Sequence, residues 1–211
     1  MQILEQKPLS GLAAKNLVMF IHGYGSNGED LMSLIPFIQE SLPESHFYSP
    51  NGIEPCDMGT FGYQWFSLRD RSPPVMERNI AASIPKVLKL IDDKLSELNL
   101  TYQDLILVGF SQGSMLSMYL AHHLNTPFKA VVAFSGMFYP PTKINNNTTP
   151  ICLIHGTEDE VVPFASMKHS ANLLRQIGAT IETHAIDNLA HSIDLTGLKY
   201  AKAFLGTLNN K

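Results

Sequence analysis

Apolar positions fall along the chain in two recurring patterns. Short continuous runs occupy Asn16–Ile21, Leu105–Phe110, Ala130–Phe134 and Pro150–Ile154. Runs of this length, closed off by glycine or polar residues, predict strands buried on both faces of a parallel sheet. Thr180–Ile186 alternates and predicts a last strand, His46–Ser49 predicts a short one, and the weakly patterned first 15 residues predict one short edge strand. Between these lie stretches at helical spacing. Leu31, Leu34, Ile35 and Ile38 predict a helix over about 29–41, capped by Asn27. Ile80, Ile84, Val87, Leu88, Ile91, Leu95 and Leu98 predict a longer one. Pro85 lies inside that pattern and is expected to kink the helix or mark its true start, since an interior proline costs roughly 3 kcal/mol. Further helices are predicted over about 112–124, after Pro163 as far as Gly178, and over 193–208.

Strands alternating with helices predict one doubly wound α/β domain over residues 1–211, with no internal repeat, linker or low-complexity tract. The loops leaving the C-terminal ends of parallel strands share one edge of the sheet, where ligands bind in such folds. That edge should gather His22–Gly28, Ser111, Asp159 and His191. One connection is unusual. Residues 50–74 carry Pro50, Gly52, Pro55, Gly59, Gly62 and Pro73-Pro74, yet also Met58, Phe61, Tyr63, Trp65, Phe66 and Leu68, which is too apolar for disorder. This aromatic loop either lines an acyl groove, with Met58, Phe61, Trp65 and Phe66 as substrate contacts, or forms a satellite core sealing the sheet edge. The two are compatible.

Composition narrows the function classes. With 211 residues, 45% hydrophobic and 16% charged, the chain is globular in type. The net charge of −4 without a basic run argues against nucleic acid as a partner. The eight histidines lack the short-spaced pairing with cysteine or carboxylate typical of metal sites, so no metal is expected. Cys56 and Cys152 are far apart and expected to stay reduced, which fits a cytoplasmic setting. The N-terminus lacks the pattern of a signal peptide, and no apolar stretch approaches the 18 residues of a membrane span, so stable membrane insertion is not expected.

The chemistry concentrates at Gly109-Phe-Ser-Gln-Gly113. A G-x-S-x-G sequence between a buried strand and a helix presents the serine oxygen on a sharp turn, beside the N–H groups and positive dipole end of the new helix. A serine hydroxyl needs a base to take its proton, and that base needs an acid to fix its tautomer. In the order Ser…Asp…His, Asp159 and His191 each sit just past a predicted strand. Glu158 and Glu160 are the alternative acids. The other histidines fit the base worse: His122 and His123 lie in one helix, His169 in another and His184 in a strand. His155 reads as a structural hydrogen-bonder, and His22 as the residue holding its glycine-rich loop. The oxyanion formed on attack needs two converging donors, and those predicted are the backbone N–H groups of Tyr24 and Gln112. A hydrolase-shaped binding protein without turnover is the remote alternative.

With these motifs in place, the chain resembles the phospholipase/carboxylesterase family of α/β-hydrolases, which includes acyl-protein thioesterases and small bacterial carboxylesterases. The resemblance spans about residues 17–208. It is carried by Phe20-Ile-His-Gly-Tyr-Gly25, Gln64-Trp-Phe-Ser-Leu68, Gly109-Phe-Ser-Gln-Gly113 and His155-Gly-Thr-Glu-Asp-Glu-Val-Val-Pro163. It implies an α/β-hydrolase fold without a large cap, and a triad of Ser111, Asp159 and His191 with oxyanion donors at Tyr24 and Gln112. It also implies hydrolysis of carboxylic esters or thioesters without a cofactor, in a soluble and often homodimeric protein. Small-molecule esters, lysophospholipids and acylated proteins are all substrates within such a family, and short to medium acyl esters are the expectation here. Two positions depart from the family's pattern: Ala190 stands where glycine usually precedes the catalytic histidine, and Ser114 where glycine often follows the elbow.

Overall fold

A computed structural model describes residues 4–59 and 61–210. Its centre is a sheet of seven strands: β1 (Glu5–Gln6), β2 (Asn16–Ile21), β3 (Ser45–Tyr48), β6 (Leu105–Phe110), β7 (Ala130–Phe134), β8 (Ile151–Gly156) and β9 (Ile181–Ile186). Their spatial order is β1-β3-β2-β6-β7-β8-β9, and all pairings are parallel except β1 with β3. The N-terminal edge strand is thus present at Glu5–Gln6; the first three residues of the stretch that predicted it lie outside the described ones.

The four apolar runs are buried on both sides because helices cover both faces. Leu17, Met19 and Ile21 face one layer with Leu105, Leu107, Val131 and Leu153. That layer is built by α3 (Pro73–Leu98), α4 (Gln112–His123) and α5 (Ala165–Gln176). Val18 and Phe20 face the other with Ile106, Val108, Val132 and Ile154. Here α1 (Gly28–Met32), α2 (Ile35–Ile38) and α6 (Leu195–Gly206) provide the cover. The period-2 side-chain alternation of a strand divides each run between the two cores.

Three expectations are corrected. The helix expected over 29–41 is broken into α1, α2 and a 3₁₀ turn at Gln39–Ser41, because Pro36 lacks an N–H and is accommodated where α2 restarts. The long helix starts at Pro73, seven residues before its first apolar landmark, because Pro73 and Pro74 occupy first-turn positions whose N–H groups have no partner anyway. Pro85 neither starts nor ends it. Pro85 and Ala81 are exposed, so the backbone bond lost there leaves the chain's solvent side, while Ile80, Ile84, Val87 and Ile91 stay in the core. Finally, the long loop contains a two-stranded ribbon, β4 (Glu54–Pro55) against β5 (Tyr63–Gln64), which bridges to Ser26 through Tyr63.

The strand order reverses between β2 and β6: the chain moves from β2 outward to β3, then crosses to β6 on the other side of β2. Crevices form at such switch points, outside the carboxyl ends of the strands. The loop after β2 and the turn after β6 meet there. Gly113 makes that approach possible, since a Cβ on it would stand 1.8 Å from the Ile21 carbonyl oxygen.

Candidate active site

The turn between β6 and α4 holds Ser111 at φ 53 and ψ −114, a backbone conformation costly for a residue with a side chain and maintained by its surroundings. Its N–H donates to Phe134 O (2.9 Å), and its carbonyl accepts from Met115 N (3.2 Å). α4 is buried along nearly its whole length from Gln112 to His122, so the turn is anchored on a helix that cannot shift outward. Ser114, the departure at the elbow, is fully buried. Its hydroxyl lies 2.7 Å from Gly109 O and 2.6 Å from Phe134 O, so it braces the turn.

Asp159 follows β8 and His191 follows β9, and the two loops are tied together. Glu158 N donates to Leu189 O (3.0 Å), and Asn188 N to Thr157 Oγ1 (3.1 Å). Gly156 permits this contact, because a Cβ there would lie 2.1 Å from Leu189 O. The result is a 2.7 Å hydrogen bond from His191 Nδ1 to Asp159 Oδ2. Since an ionised carboxylate only accepts, the proton sits on Nδ1 and Nε2 keeps its lone pair. The His191 ring packs on Phe110, with centroids 4.8 Å apart, which brings the imidazole beside the residue preceding Ser111.

The acid is held from behind. Asp159 Oδ1 accepts from the N–H groups of Val161 (3.0 Å) and Val162 (2.9 Å). His155 Nε2 lies 2.7 Å from Val162 O and 3.2 Å from Asp159 Oδ2. Burial works to raise the Asp159 carboxyl, but the bonds from His191 and Val162, with the two neighbouring imidazoles, hold it below the ordinary carboxylate range. Burial also pushes the His155 imidazole down, so it stays neutral. Glu158 and Glu160, the alternative acids, make no such pairing with His191; Glu160 is exposed.

Across the crevice, the loop after β2 comes close to the serine: a Cβ on Gly23 would be 3.4 Å from Ser111 Cβ. His22 fixes this loop. Its Nε2 accepts from Gly52 N (2.8 Å), so Nδ1 carries the proton and donates to Gly23 O (2.7 Å). Burial lowers its pKa, consistent with that neutral structural role. Tyr24 directly follows Gly23, while Gln112 opens α4, where an N–H has no intrahelical acceptor. The Gln112 side chain has a further duty that the sequence did not signal: it accepts from Trp65 N (2.9 Å) and donates to Phe66 O (2.6 Å).

A cavity of about 220 Å³ opens from Ser111, walled by Leu68, Met76, Met115, Met137, Tyr139 and Val162, with Arg71 also in its lining. None of the four residues expected as substrate contacts lines it. Trp65 is completely buried, its indole N–H donating to His22 O (3.0 Å), and Phe66 is buried beside it. Met58 and Phe61 are 63% and 86% exposed in the connection between β4 and β5. The aromatic loop thus adds Trp65, Phe66 and Leu68 to the core layer shared with α3 and α4 and carries an exposed tip, and of its apolar residues only Leu68 lines the cavity. The true wall comes from four separate segments. Of its residues, Leu68 had a sequence signal in the apolar loop and Val162 in the run His155–Pro163, whereas Met76, Met115, Met137 and Tyr139 were not singled out.

Away from this cavity, Cys152, Glu182 and His184 bring one potential metal-ligating atom each within 4.8 Å of one another. Glu182 and His184 already pair, and His184 stacks on Tyr200, so both side chains have partners without an ion. No described helix is long and apolar enough to cross a membrane.

Comparison with known proteins decides the family. A model of the Phospholipase/Carboxylesterase family matches residues 9–209. The chain belongs to the phospholipase/carboxylesterase family. It is an enzyme that hydrolyses ester or thioester bonds, on an α/β-hydrolase fold. The crystal structure of esterase PE8 superposes with a TM-score of 0.90 at 35% identity, covering 97% of each chain. Esterase YpfH of Escherichia coli is 24% identical over 89% of this chain and 81% of its own length. Acyl-protein thioesterase 1 of Candida albicans is 26% identical over 88% of both.

Proposed function

We propose that the protein is a serine carboxylesterase acting on short to medium acyl esters through an acyl-enzyme. The observation that carries this reading is the Asp159–His191 hydrogen bond of 2.7 Å, with the His191 ring packed on Phe110 directly before a serine that is held at φ 53 and lines a mainly apolar cavity. In this reading Ser111 Oγ attacks the ester carbonyl carbon while His191 Nε2 takes its proton. Asp159 keeps the imidazole in the required tautomer and stabilises the imidazolium. The carbonyl oxygen, now an oxyanion, is met by the N–H groups of Tyr24 and Gln112. Collapse expels the alcohol, which takes the proton from His191. Water then repeats the sequence, with His191 again as base, and releases the carboxylic acid.

The cavity volume supports the acyl preference. About 220 Å³ is below the roughly 300–1,000 Å³ of pockets that hold drug-sized ligands, which suits a short or medium chain better than a long one. A p-nitrophenyl ester series from acetate to palmitate, with Ser111→Ala as control, tests the reading. Activity is expected to peak at short to medium chains and to vanish in the variant. A rise toward palmitate would instead favour the second reading, hydrolysis of longer acyl thioesters or lysophospholipids, for which the thioesterase among the relatives speaks.

A further inference from the structure

Arg71, an exposed residue, is the one charged side chain in the lining of the cavity that includes Ser111; the rest of the wall is apolar or uncharged. Its guanidinium has no ion-pair partner among the described residues. The neighbouring arginine Arg69 pairs with Asp57. The acids closest in sequence to Arg71 are committed elsewhere: Asp70 accepts from Ser72 N (2.8 Å), and Glu77 from Thr142 Oγ1 (2.6 Å). Tyr139, another lining residue, feels the arginine: burial raises its hydroxyl pKa, and the Arg71 charge acts against that rise. The two groups therefore face a shared space.

The first turn of α3 offers no backbone donor in place of Arg71. α3 begins two residues later at Pro73-Pro74, which lack N–H groups, and the N–H groups of Val75 and Met76 are already given to Ser72 O (3.0 and 2.9 Å). The positive end of this 26-residue helix adds to the same potential without supplying a donor. A small apolar cavity with a single unpaired guanidinium and a phenol in its wall has the composition of a site that orients an amphipathic ligand with an anionic end. A guanidinium also offers the paired donors that match a carboxylate.

We propose that Arg71, with the Tyr139 hydroxyl, forms a carboxylate-binding subsite in the wall of the acyl cavity, so that the preferred substrates are esters carrying an anionic group a short chain away from the scissile carbonyl. This rests on the esterase reading of the same cavity. The anionic group enters either on the acyl side, as in a half-ester of a dicarboxylic acid, or on the alcohol side.

Matched pairs of substrates test it. On the acyl side, mono-p-nitrophenyl adipate is compared with p-nitrophenyl hexanoate; on the alcohol side, 4-carboxyphenyl butyrate with phenyl butyrate. The quantity read is the ratio of kcat/KM for the anionic ester to that for its neutral partner, in the wild type, Arg71→Gln and Arg71→Lys. Comparing ratios between proteins cancels the intrinsic reactivity of each ester. In one of the two pairs the ratio should fall about two- to fivefold in Arg71→Gln, the range expected for an exposed ion pair, mainly through KM. Arg71→Lys should restore part of it, and added salt should shrink the wild-type ratio. Which pair responds identifies the side on which the charge enters. Equal ratios in wild type and Arg71→Gln for both pairs, with the neutral esters turned over, would overturn the subsite and leave the esterase standing. No turnover of any ester would overturn both.

Discussion

Asp159 Oδ2 and His191 Nδ1, separated by 32 residues in sequence, lie 2.7 Å apart, while the other oxygen of the same carboxylate is held by two backbone N–H groups. The carboxylate therefore cannot rotate away without abandoning Val161 and Val162, and the imidazole is held in one tautomer. Asp159→Asn should leave the fold intact, because an amide oxygen can still accept from the loop. Its NH₂ would then face Nδ1, favouring the wrong tautomer, and kcat for ester hydrolysis should fall about a thousand- to ten-thousandfold, as expected when an acid loses this role. Steady-state kinetics with an unchanged circular dichroism spectrum would check this, and a loss under tenfold would speak against it.

Gly113 sets how closely α4 approaches β2. A Cβ placed 1.8 Å from Ile21 O cannot be relieved by a side-chain rotation, because the obstacle is backbone. Gly113→Ala should cost about 3 kcal/mol or more, at the upper end of what overpacking does. Urea denaturation should show the midpoint lowered with an unchanged slope.

The strands were the most legible part of the fold, since a run buried on both faces, such as Leu105–Val108, leaves no ambiguity about its surroundings. The placement of the candidate triad at the sheet edge was legible as well. Its three polar residues fall just beyond strand ends, where topology alone assembles them. What was not legible had a common cause. Apolar pattern reports burial, not what a side chain is buried against. Trp65 and Phe66 read equally well as groove or core, and the structure makes them core. The cavity wall draws on Leu68, Met115, Met137 and Val162 from separate segments, and no local period links them. Apolar spacing says equally little about how a proline is accommodated. Pro36 carries the weight of a break, whereas Pro85 sits in a helix whose packing outweighs the lost bond.

Acid should destabilise the protein earlier than carboxylate titration would. His22, His122 and His155 are buried, and burial lowers each below the ordinary imidazole value of 6.5. Between the folded and unfolded values the unfolded chain binds more protons, so stability falls as pH drops below about 6.5, by up to roughly 1.4 kcal/mol per pH unit for each group. The depressed Asp159 carboxyl adds its own loss only at lower pH, as it falls through the folded value. Thermal melts from pH 7.5 to 5 should show a Tm that is nearly level down to about pH 6.5 and decreases below it; a flat profile over the whole range would contradict it.

The central claim is that Ser111 is the nucleophile. It is tested most directly by treating the protein with a serine-directed fluorophosphonate and mapping the adduct by peptide mass spectrometry. The expected result is one adduct per chain, on Ser111, with ester hydrolysis lost in proportion to labelling and no adduct on the Ser111→Ala variant. An unlabelled Ser111 in protein that hydrolyses esters, or full activity in Ser111→Ala, would contradict it.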